Sequence, residues 1–311
     1  MPDKITAVFM IPPKVHLLDI TGPAHIFYEA ACYGAPVRAL YSTMFPGHTG
    51  EESSCALAFH QLIPYNELEL EAGDLVFIPG LDSALLLDVG FMDSSRAFQY
   101  WLKAMHARGV LICSVCTGAF LVAESGLLDG LSCTTHWKYA DRFKSRFPQV
   151  NLLSNRLFVA EAGIYTSAGV ASGIDLALYL TEVLWGAAFA AQVAKEVVVY
   201  FRRGEADPQL SVFTQYRNHM EERVHRVQDR LAQQLDKKQP VETLAELVSM
   251  SPRNLTRLFR KTTGITIGEY QDRLRTERAA VLLGDGHTYQ SAALHVGLKS
   301  TSRLRELLNE R

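Results

Sequence analysis

Cysteine is scarce in this 311-residue sequence, and long apolar runs are absent. Five cysteines, few and odd in number, exclude a disulfide scaffold. None of them has zinc-ribbon spacing. Cys113 and Cys116 make a CxxC only formally, because both fall in one expected buried strand and turn, where a redox pair needs a helix start. A reducing, cytoplasmic compartment fits this usage. Apolar stretches such as "LWGAAFAAQVA" (184–194) are shorter than the ~20 residues that cross a bilayer, so no membrane partner is expected. "MPDKITAVFMIP" lacks the basic region, apolar run and cleavage site of a secretory signal.

Net charge is also nearly absent, at −2, but it is unevenly placed. Residues 222–311 hold 16 basic and 11 acidic side chains, while the rest of the chain holds 15 and 22. A basic C-terminal segment on an acidic body points to an acidic partner, with nucleic acid the leading candidate. The length suits two domains, and 48% hydrophobic residues can fill their cores.

The first ~190 residues alternate between strand and helix patterns. "ITAVFMI" (5–11), "VRALYST" (37–43), "DLVFIPG" (74–80) and "GVLICSV" (109–115) read as strands buried on both faces. Helices are expected from Gly22 to about Cys32, with Pro23 in the first turn, and at about 94–108, 117–125 and 137–146. A hairpin is expected at 157–169, then helices at 171–186 and 187–201. This alternation predicts an α/β, flavodoxin-like sandwich with a mostly parallel sheet over residues 1–201. The charged, Gly- and Pro-bearing stretch 202–221 reads as a linker, and 222–311 reads as an all-α domain.

Within that domain Leu244, Ala245 and Val248 give one short helix an apolar face. "SMSP" breaks it; Ser251 can cap a second helix with Pro252 at its first position, and Leu255, Leu258 and Phe259 face inward. This is a helix-turn-helix pattern. Ser251, Arg253, Asn254, Thr256, Arg257 and Arg260 remain for DNA: Arg reads guanine, Asn reads adenine, and basic side chains hold phosphate. "YQSAALHVGLKSTSRLRELL" (289–308) repeats the plan 48 residues on, with Ser300 as cap and Lys299, Ser302 and Arg303 outward. A helical pattern over 267–283 can space the two units.

"MSPRNLTRLFRKTTG" and "YQDRLRTERAAVLL", with two such units in order, resemble the DNA-binding domain of AraC/XylS transcription regulators. The resemblance implies recognition helices at 252–262 and 300–309, promoter DNA as partner and recruitment of RNA polymerase. Two departures stand out. Glu306 lies where a basic residue is common, and the sequence stops at Arg311, where family members usually have another helix, so the first unit is expected to carry most base readout.

"CSVCTGAF" (113–120) carries a different chemistry. Ser114-x-Cys116-x-Gly118 is a variant of the nucleophile elbow, in which small neighbours let the chain turn sharply at a helix start. A helix N-terminus lowers a thiol pKa, and its N–H groups can hold an oxyanion. With "LLDITGPAHIF" (17–27), "TTHW" (134–137) and "TSAGVASGIDLAL" (166–178), this segment resembles the DJ-1/PfpI group of the class I glutamine-amidotransferase-like fold. The isonitrile-hydratase set within that group pairs an elbow Cys with an Asp, which maps onto Cys116 and Asp19. Many AraC-type regulators carry such a domain as a sensor.

Three readings of the elbow compete. It is the pocket of a small-molecule sensor, built by Asp19, Cys116, Thr117, His136 and Trp137; or a catalytic site of Asp19, Cys116 and His136; or a fossil in a dimerising domain. The first is preferred, because Trp137 and Lys138 replace the His-x-Glu pair of an amidotransferase triad. Asp19 can also cap the first helix, and the glycines of 166–173 can serve packing. No metal, cofactor or enzymatic role is expected, and a homodimer through the N-terminal domain is.

Overall fold

Seven consecutive buried positions in β1 (Ile5–Ile11) require cover on both faces of the sheet, and the structure supplies it. The structure is a computed structural model and describes residues 4–199, 203–205, 207–209, 211–284 and 286–309. Two compact units divide it at Gln209 and Leu210.

In the first unit β1 is followed by β2 (Val37–Thr43), β3 (Gly50–Glu52), β4 (Ala58–His60), β5 (Ile63–Pro64) and β6 (Leu75–Ile78). Then come β7 (Leu111–Val115), β8 (Ser132–Cys133), β9 (Asn151–Leu152), β10 (Phe158–Glu161) and β11 (Ile164–Ser167). The main sheet has the order β10-β11-β7-β6-β1-β2-β5, parallel except for the β10–β11 hairpin. Side chains alternate along β1: Ala7, Phe9 and Ile11 enter one core, Val8 and Met10 the other. The first core is roofed by α1 (Leu17–Cys32), the second by the helices α2 (Ser83–Leu86), α3 (Val89–Ser94), α4 (Arg96–Ala107), α5 (Gly118–Glu124) and α6 (Ala140–Arg146). Helices α7 (Ser172–Trp185) and α8 (Ala187–Glu196) complete the roof over the first core.

Three local expectations are corrected. The strand over 37–43, expected to be buried on both faces, exposes Arg38, Ala39 and Tyr41 of β2, because only the short β5 lies beyond it in the sheet. The first helix begins at Leu17, not Gly22, so Pro23 lies inside it. Proline removes one helical hydrogen bond, but Ile20, Ala24, Phe27 and Ala30 bury one face and hold the helix through it. Asp19 therefore does not cap this helix: His16 holds the N-cap position, and the Asp19 carboxylate points elsewhere. The helix expected over 187–201 ends at Glu196, and residues 200 and 201 lie outside the described ones.

The expected linker 202–221 is shared between the units. On the first, Arg203 pairs with Asp175 and Leu157 N–H donates to Asp207 O at 2.9 Å. On the second, α9 (Val212–Tyr216) buries Val212 and Tyr216 in the helical core.

That second unit continues with α10 (Glu222–Gln233), α11 (Val241–Leu247), α12 (Pro252–Thr263), α13 (Ile267–Gly284), α14 (Tyr289–His295) and α15 (Thr301–Asn309). It has two apolar clusters. One gathers Leu244, Leu255, Phe259 and Tyr270, the other Ala293, Val296, Leu304 and Leu307. Helix α13 supplies Tyr270 and Leu274 to the first and Ala279 and Leu282 to the second, which makes it the spacer between two helix-turn-helix units.

Candidate functional site

The chain order of the sheet reverses between β1 and β6, which neighbour each other although far apart in sequence. In such folds the crevice beyond the carboxyl ends of the strands at this switch point takes the ligand. His16 and Asp19 follow β1, Gly80 follows β6, Cys116 follows β7, and Gly169 and Val170 follow β11.

Cys116 has φ of +60°, a left-handed conformation that costs a non-glycine residue about 1–3 kcal/mol. Its neighbours hold it there. Cys116 N–H donates to Ser167 O at 2.9 Å, and Thr135 Oγ1 donates to Cys116 O at 3.0 Å. Two residues on, a Cβ at Gly118 would lie 2.1 Å from Ile78 O, so only glycine lets α5 start this close to β6. The elbow expected from the sequence is thus built by close backbone contact.

The sulfur is buried, with Cys116 3% exposed. Burial pushes the thiol pKa well up, and the adjacent Asp19 carboxylate adds to the rise; N–H groups of Thr117 and Val170 oppose it but do not prevail. Cys116 is a thiol at neutral pH, contrary to the lowered pKa that a helix start would give alone. Asp19 is fully buried; its Oδ2 accepts from Gly80 N at 3.1 Å and lies 3.6 Å from His16 Nδ1. Asp19 Oδ1 is buried without a hydrogen-bond partner. Burial lowers the His136 pKa, and its Nδ1 accepts from Lys138 N–H at 3.3 Å, which places the proton of the neutral ring on Nε2. Thr117 Oγ1 accepts from Leu81 N, and Trp137 stacks on His136 at 5.6 Å while remaining half exposed.

Sequence reasoning missed His16, Gly80 and Gln209. His16 lies one helical turn before Asp19, a spacing that was legible. Gln209 was not: its Nε2 donates to Thr135 O at 2.8 Å and to Thr134 Oγ1 and Ser154 O at 2.9 Å, and its Oε1 accepts from Trp137 N at 2.9 Å. Only the tertiary fold brings it to the loop that carries His136. A cavity of about 650 Å3 lies elsewhere, between α1, β2 and β4, with Thr21, His25, Tyr28, Tyr41, Phe59 and His60 among its walls. Asp19, Cys116, Thr117, His136 and Trp137 are not part of its lining.

On the helical unit Ser251, Arg253, Asn254, Thr256, Arg257, Arg260, Lys299, Ser302 and Arg303 are all exposed. Ser251 Oγ caps α12 by accepting Asn254 N–H at 3.3 Å, and Ser300 Oγ accepts Arg303 N–H at 3.2 Å. Thr256 turns its hydroxyl back to Pro252 O at 2.9 Å. Arg303 differs from the arginines of α12: it reaches Asp272 and Glu306, each at 3.2 Å.

Residues 5–183 match the DJ-1/PfpI family, and residues 244–311 match a helix-turn-helix domain. The chain belongs to the DJ-1/PfpI family. It is similar to the HTH-type transcriptional regulator CdhR of Pseudomonas aeruginosa, 31% identical over 69% of this chain and 62% of that one. It is also similar to an isonitrile hydratase of Pseudomonas putida, 28% identical over 57% of this chain and 71% of that one. Among solved structures, an AraC family transcriptional regulator from Pseudomonas putida superposes with a TM-score of 0.52 at 17% identity, covering 62% of this chain and 99% of that one. A DJ-1/PfpI domain joined to an AraC-type helix-turn-helix domain is therefore the architecture of this member, as the sequence resemblance implied. The match spans about three-fifths of the length of CdhR. None of the described helices is long and apolar enough to cross a membrane.

Proposed function

We propose that this protein is a cytoplasmic transcription regulator whose helical unit binds promoter DNA under control of a small molecule sensed by the DJ-1/PfpI domain. One observation carries the reading. On α12, Leu255 and Phe259 are buried while Arg253, Asn254, Arg257 and Arg260 are exposed on the outside of a capped recognition helix. Such a helix offers base-edge donors and phosphate ligands together. Selection from a random-sequence duplex library at moderate salt tests it. Enrichment of a defined sequence, lost in Arg257→Ala, is expected; binding without enrichment and with a steep salt dependence overturns it.

For the sensor we assign Asp19, Cys116, Thr117, His136 and Trp137 to the effector pocket. Dimerisation through this domain and recruitment of RNA polymerase follow from the same reading. Gln209 is the side chain suited to report occupancy, since it grips the His136 loop and is followed directly by the helical unit. A thermal-shift screen with amines, amino acids and their derivatives finds the effector, because a ligand stabilises the state it binds. A shift abolished by His136→Ala supports the elbow; one abolished instead by Tyr41→Ala moves the effector to the 650 Å3 cavity.

The second reading is a Cys-dependent hydratase, favoured by the Cys116–Asp19 pair and the similarity to an isonitrile hydratase. Iodoacetamide-sensitive turnover of an isonitrile, absent in Cys116→Ser, would establish it. The protonated, buried thiol argues against it.

A further inference from the structure

The elbow gathers three ligating side chains of different type. His16 Nδ1, a carboxylate oxygen of Asp19 and Cys116 Sγ all lie within 4.8 Å of one another. A buried carboxylate oxygen without a partner is not explained by packing. Asp19 Oδ1 leaves such an oxygen at zero side-chain exposure, and burying a carboxylate without full hydrogen bonding is costly.

We propose that His16, Asp19 and Cys116 form a binding site for one thiophilic divalent ion, with zinc(II) as the first candidate. An N, O, S donor set suits zinc, and three protein ligands leave an open fourth position of the kind found in non-structural sites. The distances fit. Tetrahedral zinc with bonds of about 2.0–2.3 Å separates its ligand atoms by roughly 3.3–3.6 Å. His16 Nδ1 and Asp19 Oδ2 already stand 3.6 Å apart, and the 4.8 Å limit asks the sulfur to move by about 1 Å at most. Access is through His16, whose side chain is 36% exposed, while Asp19 and Cys116 are held beneath it. As the sulfur–metal bond forms, the thiol proton leaves to solvent, so ion and proton exchange one for one. The cation would neutralise the buried Asp19 carboxylate, whose Oδ1 otherwise has no partner. This holds whether or not the elbow also takes the effector.

Full-length protein in a Cys32→Ser, Cys55→Ser background, which removes the exposed thiols, is stripped with chelator and titrated with Co(II) and Zn(II). One equivalent of Co(II) per chain is expected, with a thiolate-to-metal charge-transfer band that Zn(II) displaces. Cys116→Ser removes the band, and His16→Ala weakens uptake at least about ten-fold. His16→Ala alters a half-exposed side chain, so an unchanged melting curve without metal shows that the fold survives. The proposal is overturned by no stoichiometric uptake, or by uptake that His16→Ala and Cys116→Ser leave unchanged.

Discussion

The elbow around Cys116 and the outer face of α12 both concentrate polar groups, and they direct them in opposite ways. At the elbow the groups turn on one another: Gly80 N–H on Asp19, Thr135 on Cys116 O, Gln209 on the His136 loop. On α12 the arginines face solvent, while Ser251, Thr256 and Thr263 bond to the helix's own backbone. A surface that reads another molecule must keep its donors uncommitted, because a donor already paired has to be released first. A site that reports occupancy can begin closed. The same contrast runs inside the helical unit. Arg257 of α12 has only a 3.5 Å contact to Asn254, whereas Arg303 of α15 is held by Asp272 and Glu306.

The largest test of this contrast removes the support under the reading face. Phe259 is fully buried in the first helix-turn-helix core, against Tyr270 at 5.6 Å. Phe259→Ala is expected to cost about 3–5 kcal/mol in urea unfolding of the helical unit, with DNA binding lost in parallel. A loss below ~1 kcal/mol would show that this core does not position α12. At the elbow the matching change is Gly118→Ala, whose new methyl meets Ile78 O. A cost of about 1–3 kcal/mol is expected, because backbone cannot move aside as a side chain can. Unchanged stability would mean that the elbow is looser than its geometry.

These two positions also mark what the sequence disclosed. The small-x-Cys-x-small pattern announced the turn at Cys116, since tight packing of α5 on β6 allows nothing larger at 118. The apolar runs of β1, β6 and β7 were legible because parallel strands are covered on both faces; β2 departs from this, since only the two-residue β5 lies beyond it and Arg38, Ala39 and Tyr41 are exposed. The start of α1 was not, because Pro23 is a strong N-terminal signal that packing of Ile20 and Phe27 overrides. Gly80, Val170 and Gln209 reach Asp19, Cys116 and the His136 loop from distant parts of the chain, and nothing in their local sequence says so. Side-chain pairing of Arg303 with Asp272, 31 residues apart, was equally invisible.

The difference between the recognition helices is sharpened by paired substitutions. Arg257→Ala is expected to weaken binding of the selected duplex by about 1–3 kcal/mol, if the side chain contacts a base. Arg303→Ala should weaken it less. Its two ion pairs are surface-exposed and contribute little to stability, so urea unfolding should move by under ~1 kcal/mol. Equal losses of DNA affinity in quantitative footprinting would remove the distinction between α12 and α15.

The smallest expected signal is at Cys116, and it separates a closed elbow from an activated one. Alkylation by iodoacetamide follows the thiolate. An unperturbed cysteine, with a pKa of about 8.5, gives a rate that climbs with pH and levels off above it; an activated nucleophile levels off below neutrality. Burial and the Asp19 charge raise the Cys116 pKa, so the thiolate is the rarer form throughout this range. In the Cys32→Ser, Cys55→Ser background with chelator present, the modification of Cys116 should be slow at neutral pH. Its rate should rise about ten-fold per pH unit from 7 to 9 with no plateau. Asp19→Asn removes the nearby negative charge and should speed the reaction at each pH, since the thiolate no longer forms beside an anion. A plateau below pH 8 in the unaltered elbow would place Cys116 among activated nucleophiles and return the hydratase reading to the front.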